Sequence, residues 1–329
     1  TCDMFERIKA PLGEDPAVIS AVLSARQKLR RALCALFPGE LLLCFDTNRM
    51  NHLLTEKVRA ENGVLGAEDP RALGPLMCVP YGSILSEVVV PNTVTKTLHA
   101  EKVFSSDISG FTIEETPGYA PLTNQIRAIH SFRRPVLLVD DLLHNGYRIE
   151  KLDPLFHAEG IEVKKILVGV LSGRGQDLMD RQGREVDAVY RVPNMRLWFT
   201  ESLLYPFLGG DGIRQENAPG GALPSINLVL PYKYPSYIHG SREGAAAALS
   251  LAALENAHDI MLTLENRHRA LAGRPLTIGR LGEALPAPRL PDRGRHTRYI
   301  RSAAASLYIR DDIEWLHRII GGADAILRT

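Results

Sequence analysis

Pro135-Val136-Leu137-Leu138-Val139-Asp140-Asp141-Leu142-Leu143-His144-Asn145-Gly146-Tyr147-Arg148 is the stretch whose reading decides the fold of this chain. A proline opens an apolar run of strand length, and two adjacent carboxylates followed by a glycine turn end it. Such a run marks a parallel strand buried on both faces, because helices cover both sides of a parallel sheet. The acids then arrive at the carboxyl end of the strand, the edge at which open α/β sheets bind ligands. Residues 147–156 can turn helical, so the amides of residues 143–147 would converge on a helix amino terminus, a ready seat for a phosphate. Asn145 is placed to cap that end and Arg148 to add positive charge. The paired acids, Asp140 and Asp141, suit two ribose hydroxyls or a magnesium ion held through water. The competing reading is a pair of solvated acids closing an ordinary strand.

This pattern resembles the phosphoribosyl diphosphate (PRPP) signature of type I phosphoribosyltransferases, in which four apolar residues and two acids precede a small-residue loop for the ribose 5-phosphate. Aligned on the acids, Gly146 is kept, while Asn145 and Arg148 stand where that family has threonines. The resemblance implies an α/β fold with a parallel sheet flanked by helices, and an enzyme that transfers phosphoribosyl from PRPP with Mg2+. Asp140 and Asp141 would face the ribose and hold the metal through water, and His144, Asn145, Gly146, Tyr147 and Arg148 would face the 5-phosphate. Tyr81, Gly82 and Ser83, which follow a second apolar run at residues 76–80, occupy the place of the pyrophosphate loop, although glycine and serine after a strand also make an ordinary turn. Lys102 and Arg174 could supply positive charge. Trp198 and Glu201 fall where related enzymes carry a hood, here near residues 186–215, that stacks on a base. Ordinary burial of Trp198 is the alternative.

Two other functions remain open: a PRPP- or nucleotide-sensing protein that kept the pocket without turnover, and an enzyme acting on another nucleoside or sugar phosphate. Tyr147 and Arg148 bring bulk where the family has small residues, which favours the first of these. His144, beside two acids, could exchange protons near neutral pH. A capping or solvent-facing histidine is the alternative. The acceptor is unidentified, with a nitrogenous base suggested by the aromatic candidates.

The remaining elements follow from periodicity and punctuation. Residues 15–37 have helical spacing, with Val18, Ala21, Val22, Ala25 and Leu29 on one face and Arg26, Lys28, Arg30 and Arg31 on a solvated face. Pro38-Gly39 stops this helix, residues 41–45 read as a strand, and Asp46 or Thr47 caps a helix through about Arg59. Residues 64–75 form a loop. A strand at 102–104 precedes the long polar stretch 105–123, read as a mobile lid or a β excursion. Strands are expected at 163–171, 186–192 and 195–200, with a short helix at 177–181.

Beyond Pro231, Tyr232, Tyr234 and Tyr237 interleave with prolines. A long helix from Arg242 to Leu271 follows, with Leu254, Ala257, Met261 and Leu264 along one face. Further helices are expected at 276–284, 296–308 and 311–326. The division is thus a phosphoribosyltransferase-like α/β domain at 1–234 and a helical extension at 235–329, which could cover the sheet, complete the pocket or support a homodimer.

With 329 residues, 45% of them apolar, and a net charge of +1, the chain has the character of a globular protein. Near-neutral charge gives no case for nucleic acid. No apolar run is long enough for a bilayer and no signal-peptide pattern opens the chain, so the cytoplasm is the expected compartment. Cys2, Cys34, Cys44 and Cys78 lack the close pairing of a zinc site. Cys44 and Cys78 lie in apolar runs and read as buried thiols. The chain begins Thr1-Cys2-Asp3 without methionine, the pattern of a processed chain or a fragment.

Overall fold

A computed structural model describes residues 3–64, 72–85, 88–214, 223–235, 238, 244–292 and 298–326. Cys2, Tyr237, Arg242, His296 and most of the loop at 64–75 lie outside the described residues. In chain order the helices are α1 Pro16–Leu36, α2 Thr47–Glu61, α3 Leu122–His130, α4 Tyr147–Ala158, α5 Gly173–Gln182, α6 Ala245–Ala272 and α7 Ala305–Ile326. The strands are β1 Met77–Pro80, β2 Val94–Thr95, β3 Ala100–Phe104, β4 Phe111–Glu115, β5 Val136–Leu143, β6 Val163–Ser172, β7 Val186–Val192, β8 Asp211–Ile213, β9 Leu223–Ile226 and β10 Arg289–Pro291. Among the described residues, no helix is long and apolar enough to cross a membrane.

Contacts divide the chain into two compact units. One comprises residues 45–102 and 112–198, the other residues 1–44, 103–111 and 199–329. The first holds a five-stranded sheet in the order β2-β1-β5-β6-β7, parallel throughout. The expected strand is its central member. Side chains alternate between the faces of a strand, so Val136 and Leu138 pack with Ile126, Ile129, Ile149, Leu152 and Phe156 of α3 and α4. Leu137 and Val139 pack instead with Met50, Leu54 and Val58 of α2. Two-sided burial is therefore what the unbroken apolar run encodes. The strand runs past the acids, however: β1 ends opposite Val139, whereas β6 continues beside β5 through Leu143.

The second unit joins α1, α6 and α7 to β10, β9 and β8, in that order, with Val103 and Phe104 of β3 pairing onto β8. Asp15 caps α1 by accepting from the amides of Ala17 and Val18. The apolar face of that helix, Val18, Val22, Ala25, Leu29, Leu33 and Leu36, is buried with Leu249, Ala253, Ala257, Ile260 and Leu264 of α6. Asn256 seals the contact by donating to the Ala25 carbonyl at 2.8 Å. The compact units thus do not follow the boundary expected at 234/235, because the partner of α1 lies late in the chain rather than on the parallel sheet.

The polar stretch after β3 forms a β excursion. Ser105 donates to the Gly110 carbonyl and Thr116 to the His99 carbonyl, closing an antiparallel hairpin of β3 and β4. Asp107 organises its turn, accepting from Ser105 Oγ at 2.6 Å and from the Ser109 amide at 3.1 Å. Those donors hold its carboxyl below the usual range, at about 2.

Some elements differ from expectation. Residues 41–45 form no strand; Leu41 is exposed and Cys44 is exposed rather than buried, since among the described residues no strand pairs with this segment. Cys78 is buried as expected, and burial raises its thiol to about 12. Residues 195–200 are likewise irregular, and the expected helix at 276–284 is a 3-10 turn at Ile278–Glu283. Residues 298–304 are not helical, while Tyr308 and Asp311 share the single helix α7. Arg26 is not a solvated cation but binds Glu201.

Candidate functional site at the carboxyl edge of the parallel sheet

The turn from β5 to α4 is built on Gly146, whose φ of +74° is a left-handed conformation that suits glycine. Space is tight as well: a Cβ there would lie 2.2 Å from Leu178 Cδ2. The first backward helical bond of α4 runs from Glu150 to the Gly146 carbonyl at 2.9 Å, so the preceding amides form the open positive end of the helix. Asn145 does not cap this helix as expected. Gly146 holds the cap position with no side-chain bond, and Asn145 Oδ1 instead accepts from Arg174 Nη1 at 3.0 Å. That bond fixes an exposed guanidinium beside the loop. Tyr147 is exposed at the first helical position.

A second turn is stitched to the first. Ser172 caps α5 by accepting from the Gly175 amide at 3.0 Å, and its hydroxyl lies 2.8 Å from His144 Nδ1. Gly175 can only be glycine, since a Cβ would meet the Leu143 carbonyl oxygen at 2.4 Å. Burial, with Arg174 nearby, lowers the pKa of His144 and favours its neutral ring. Ser172 was not singled out from the sequence. Its signal was a serine directly after an apolar run and three residues before Gly175, the spacing of an N-cap.

The paired acids have different surroundings. Asp140 follows Leu138 onto the α4 side of the sheet, is buried, and accepts from Arg148 Nη1 and from the Asp141 amide, the latter at 2.8 Å. Arg148 also lies 3.8 Å from Asp141, and its guanidinium stands over the Tyr81 ring, 5.4 Å from the centroid. Burial raises the Asp140 carboxyl above the ordinary carboxylate range, Arg148 draws it back, and Asp141 pushes it up again. For Arg148, burial opposes the charge, but the two acids more than offset this and hold it protonated. The Tyr81 phenol is buried with no hydrogen-bond partner among the described residues, and burial pushes its pKa far up. Asp141 is the accessible acid, with 42% of its side chain exposed.

Of the expected pyrophosphate loop, Tyr81 belongs to the floor under Arg148; its amide donates to the Val139 carbonyl at 2.9 Å. Gly82 adopts a φ of +57° and donates to the Leu98 carbonyl, and Ser83 is exposed. Lys102 is a half-buried residue of β3. Trp198 is exposed outside any strand, whereas Glu201 belongs to the other unit. There Glu201 is buried and bonded to Arg26 at 3.0 Å. The two hood candidates are therefore not gathered into one unit.

A magnesium ion does not fit Asp140 and Asp141 as a pair. Arg148 binds Asp140 Oδ1 and lies 3.8 Å from Asp141, so the guanidinium already standing against both acids repels a second cation. Among the described residues no cluster of three or more histidine, cysteine or acidic side chains could hold a metal.

No protein-family model and no curated protein matches the chain. Comparison with solved structures finds adenine phosphoribosyltransferase from Giardia lamblia complexed with 9-deazaadenine, at 15% identity, covering 50% of this chain and 98% of that one with a TM-score of 0.30. It also finds a purine phosphoribosyltransferase from Pyrococcus horikoshii, at 17% identity, 48% and 87% coverage, and a TM-score of 0.27. A hypoxanthine phosphoribosyltransferase from Staphylococcus aureus is 13% identical over 48% of this chain and 80% of its own, with a TM-score of 0.26.

Proposed function

We propose that the carboxyl edge of the parallel sheet is a phosphoribosyl donor site and that the protein transfers phosphoribosyl from PRPP to an acceptor with a nucleophilic nitrogen. The observation that carries this reading is the turn at Gly146, which joins the acid-bearing end of the central strand to an open helix amino terminus with Arg174 tied beside it. Backbone amides and a guanidinium are the donors a phosphate monoester uses. Catalysis in such a transfer consists largely of holding the leaving diphosphate and stabilising positive charge as it develops on the ribose. Asp141, exposed two residues before the end of β5, supplies the negative charge for that second task, and the exposed Ser83 supplies a donor for the diphosphate. Magnesium would arrive on the diphosphate, since the Arg148 guanidinium already stands against both acids.

A second reading, a binding protein without turnover, is favoured by one specific feature: Arg148 occupies Asp140. Calorimetry with PRPP and magnesium, followed by a screen of bases for pyrophosphate release, separates the two. Binding with release from at least one base supports the transferase. Binding with no release supports the sensor, and no binding removes both.

A further inference from the structure

We propose that Arg148 is the resident counter-cation of the Asp140–Asp141 pair, so that the site takes its sugar phosphate with no divalent metal ion on its acids. The acid-pair half of this inference stands on the ion pairs, and the ligand half rests on the donor-site reading above. Two adjacent carboxylates, one of them buried, need positive charge beside them, because a like charge at close range and the loss of water both disfavour the ionised pair. Arg148 supplies that charge. Its Nη1 donates to Asp140 Oδ1 and lies 3.8 Å from Asp141 Oδ1, so a single guanidinium nitrogen stands against both acids.

The cation is also held in place. Its guanidinium covers the Tyr81 ring, 5.4 Å from the centroid, and Arg148 is the second residue of α4, directly after the turn at Gly146. A guanidinium keeps its charge throughout the ordinary pH range, so this positive charge is permanent. Asp140 Oδ2 and Asp141 still offer oxygens to a ligand. A metal ion reaching either of them, however, would stand within a few ångströms of a like charge in a partly buried site, where repulsion is only weakly screened. A sugar phosphate meets the opposite situation. Arginine carries its N–H donors in a fixed fork, one of them holds Asp140, and 33% of the side chain is exposed. The remaining donors serve a hydroxyl or phosphate oxygen in the role a metal ion would otherwise take.

The experiment has two arms, both on the full chain. In the first, Mn2+ is titrated and followed by water-proton relaxation on wild type, Asp141→Asn, Arg148→Gln and the variant carrying both substitutions. Wild type is expected to hold no Mn2+ that Asp141→Asn removes. Arg148→Gln is expected to gain a site more than about tenfold tighter than any in wild type, which the double variant loses again. Mn2+ bound by wild type and released in Asp141→Asn overturns the inference, as does a folded Arg148→Gln that gains no site. Should Arg148→Gln fail to fold, wild type against Asp141→Asn decides this arm. In the second arm, calorimetry with ribose 5-phosphate in EDTA and in Mg2+ is expected to give the same affinity in both. Binding tighter in Mg2+ by more than about tenfold overturns the ligand half. If ribose 5-phosphate binds in neither, the donor-site reading falls, and the Mn2+ arm still decides the acid pair.

Discussion

Arg148, in the first turn of α4, and Asp140, eight residues earlier in β5, form an ion pair in which the acid is buried and the arginine covers the ring of Tyr81. Removing one partner of such a pair leaves an uncompensated charge. Arg148→Ala is expected to lower the unfolding free energy by about 2–4 kcal/mol, less than the roughly 3–5 kcal/mol of a fully buried pair, because 33% of the arginine side chain is exposed. Urea denaturation checks this. An unchanged midpoint would show that the pair contributes nothing to the fold.

Gly146→Ala meets two obstacles, a φ of +74° and the Leu178 methyl group 2.2 Å from the new Cβ. The side chain of Leu178 can move, whereas the backbone conformation cannot be avoided. A loss of about 1–3 kcal/mol in stability is expected, with weaker binding of any phosphate at the α4 amino terminus. Chemical denaturation and phosphate titration are the measurements, and wild-type values in both would mean the turn tolerates a side chain.

Asp15 gives a pH-dependent prediction in the other unit. Its bond to Arg267 at 2.7 Å and to the first amides of α1 hold its carboxyl below the ordinary 3.8. A depressed carboxylate contributes stability that is fully present above its unfolded pKa and is lost as the pH falls through its folded one. The deficit of Asp15→Ala relative to wild type should therefore be constant from pH 7 to about pH 5 and shrink below about pH 4, near the unperturbed aspartate value. Urea midpoints at these values test it. A deficit that grows on acidification contradicts the assignment.

The hairpin of β3 and β4 predicts a pattern of amide exchange. The amides of Ser105 and Thr116 are bonded across the hairpin and should be protected, whereas exchange at the exposed turn should depend on Asp107. Asp107→Ala is expected to speed exchange at Ser109 and Gly110. Repeating the measurement with PRPP tests a lid role, for which protection must rise on binding. Equal protection with and without PRPP leaves the hairpin a structural excursion only.

The main strand was legible because two-sided burial leaves a sequence trace: Val136, Leu137, Leu138 and Val139 carry no polar interruption. The same holds for α1 and α6, whose apolar faces repeat at helical spacing. Residues 41–45 show the limit of that logic. Their apolar run matches a strand by composition, yet strand formation depends on a neighbour to bond with, and that neighbour is not encoded locally. The helix expected at 296–308 failed in part for a related reason, since composition alone did not separate the irregular residues 298–304 from the helix that starts at Ala305.

At the site, the sequence alone determined that two adjacent acids lie in the carboxyl-terminal half of the central strand and that a glycine turn leads to a helix amino terminus, because strand periodicity and left-handed turns are properties of a few consecutive residues. Only the tertiary structure decided that Arg148 spends its charge on Asp140, that Tyr81 lies beneath it, and that Glu201 is bound to Arg26 in the other unit. The arginine could bond a phosphate or an acid equally well by its chemistry. The alternation that sends Asp140 to the α4 face of the sheet is what settled the choice, and that placement exists only once strand and helix have packed.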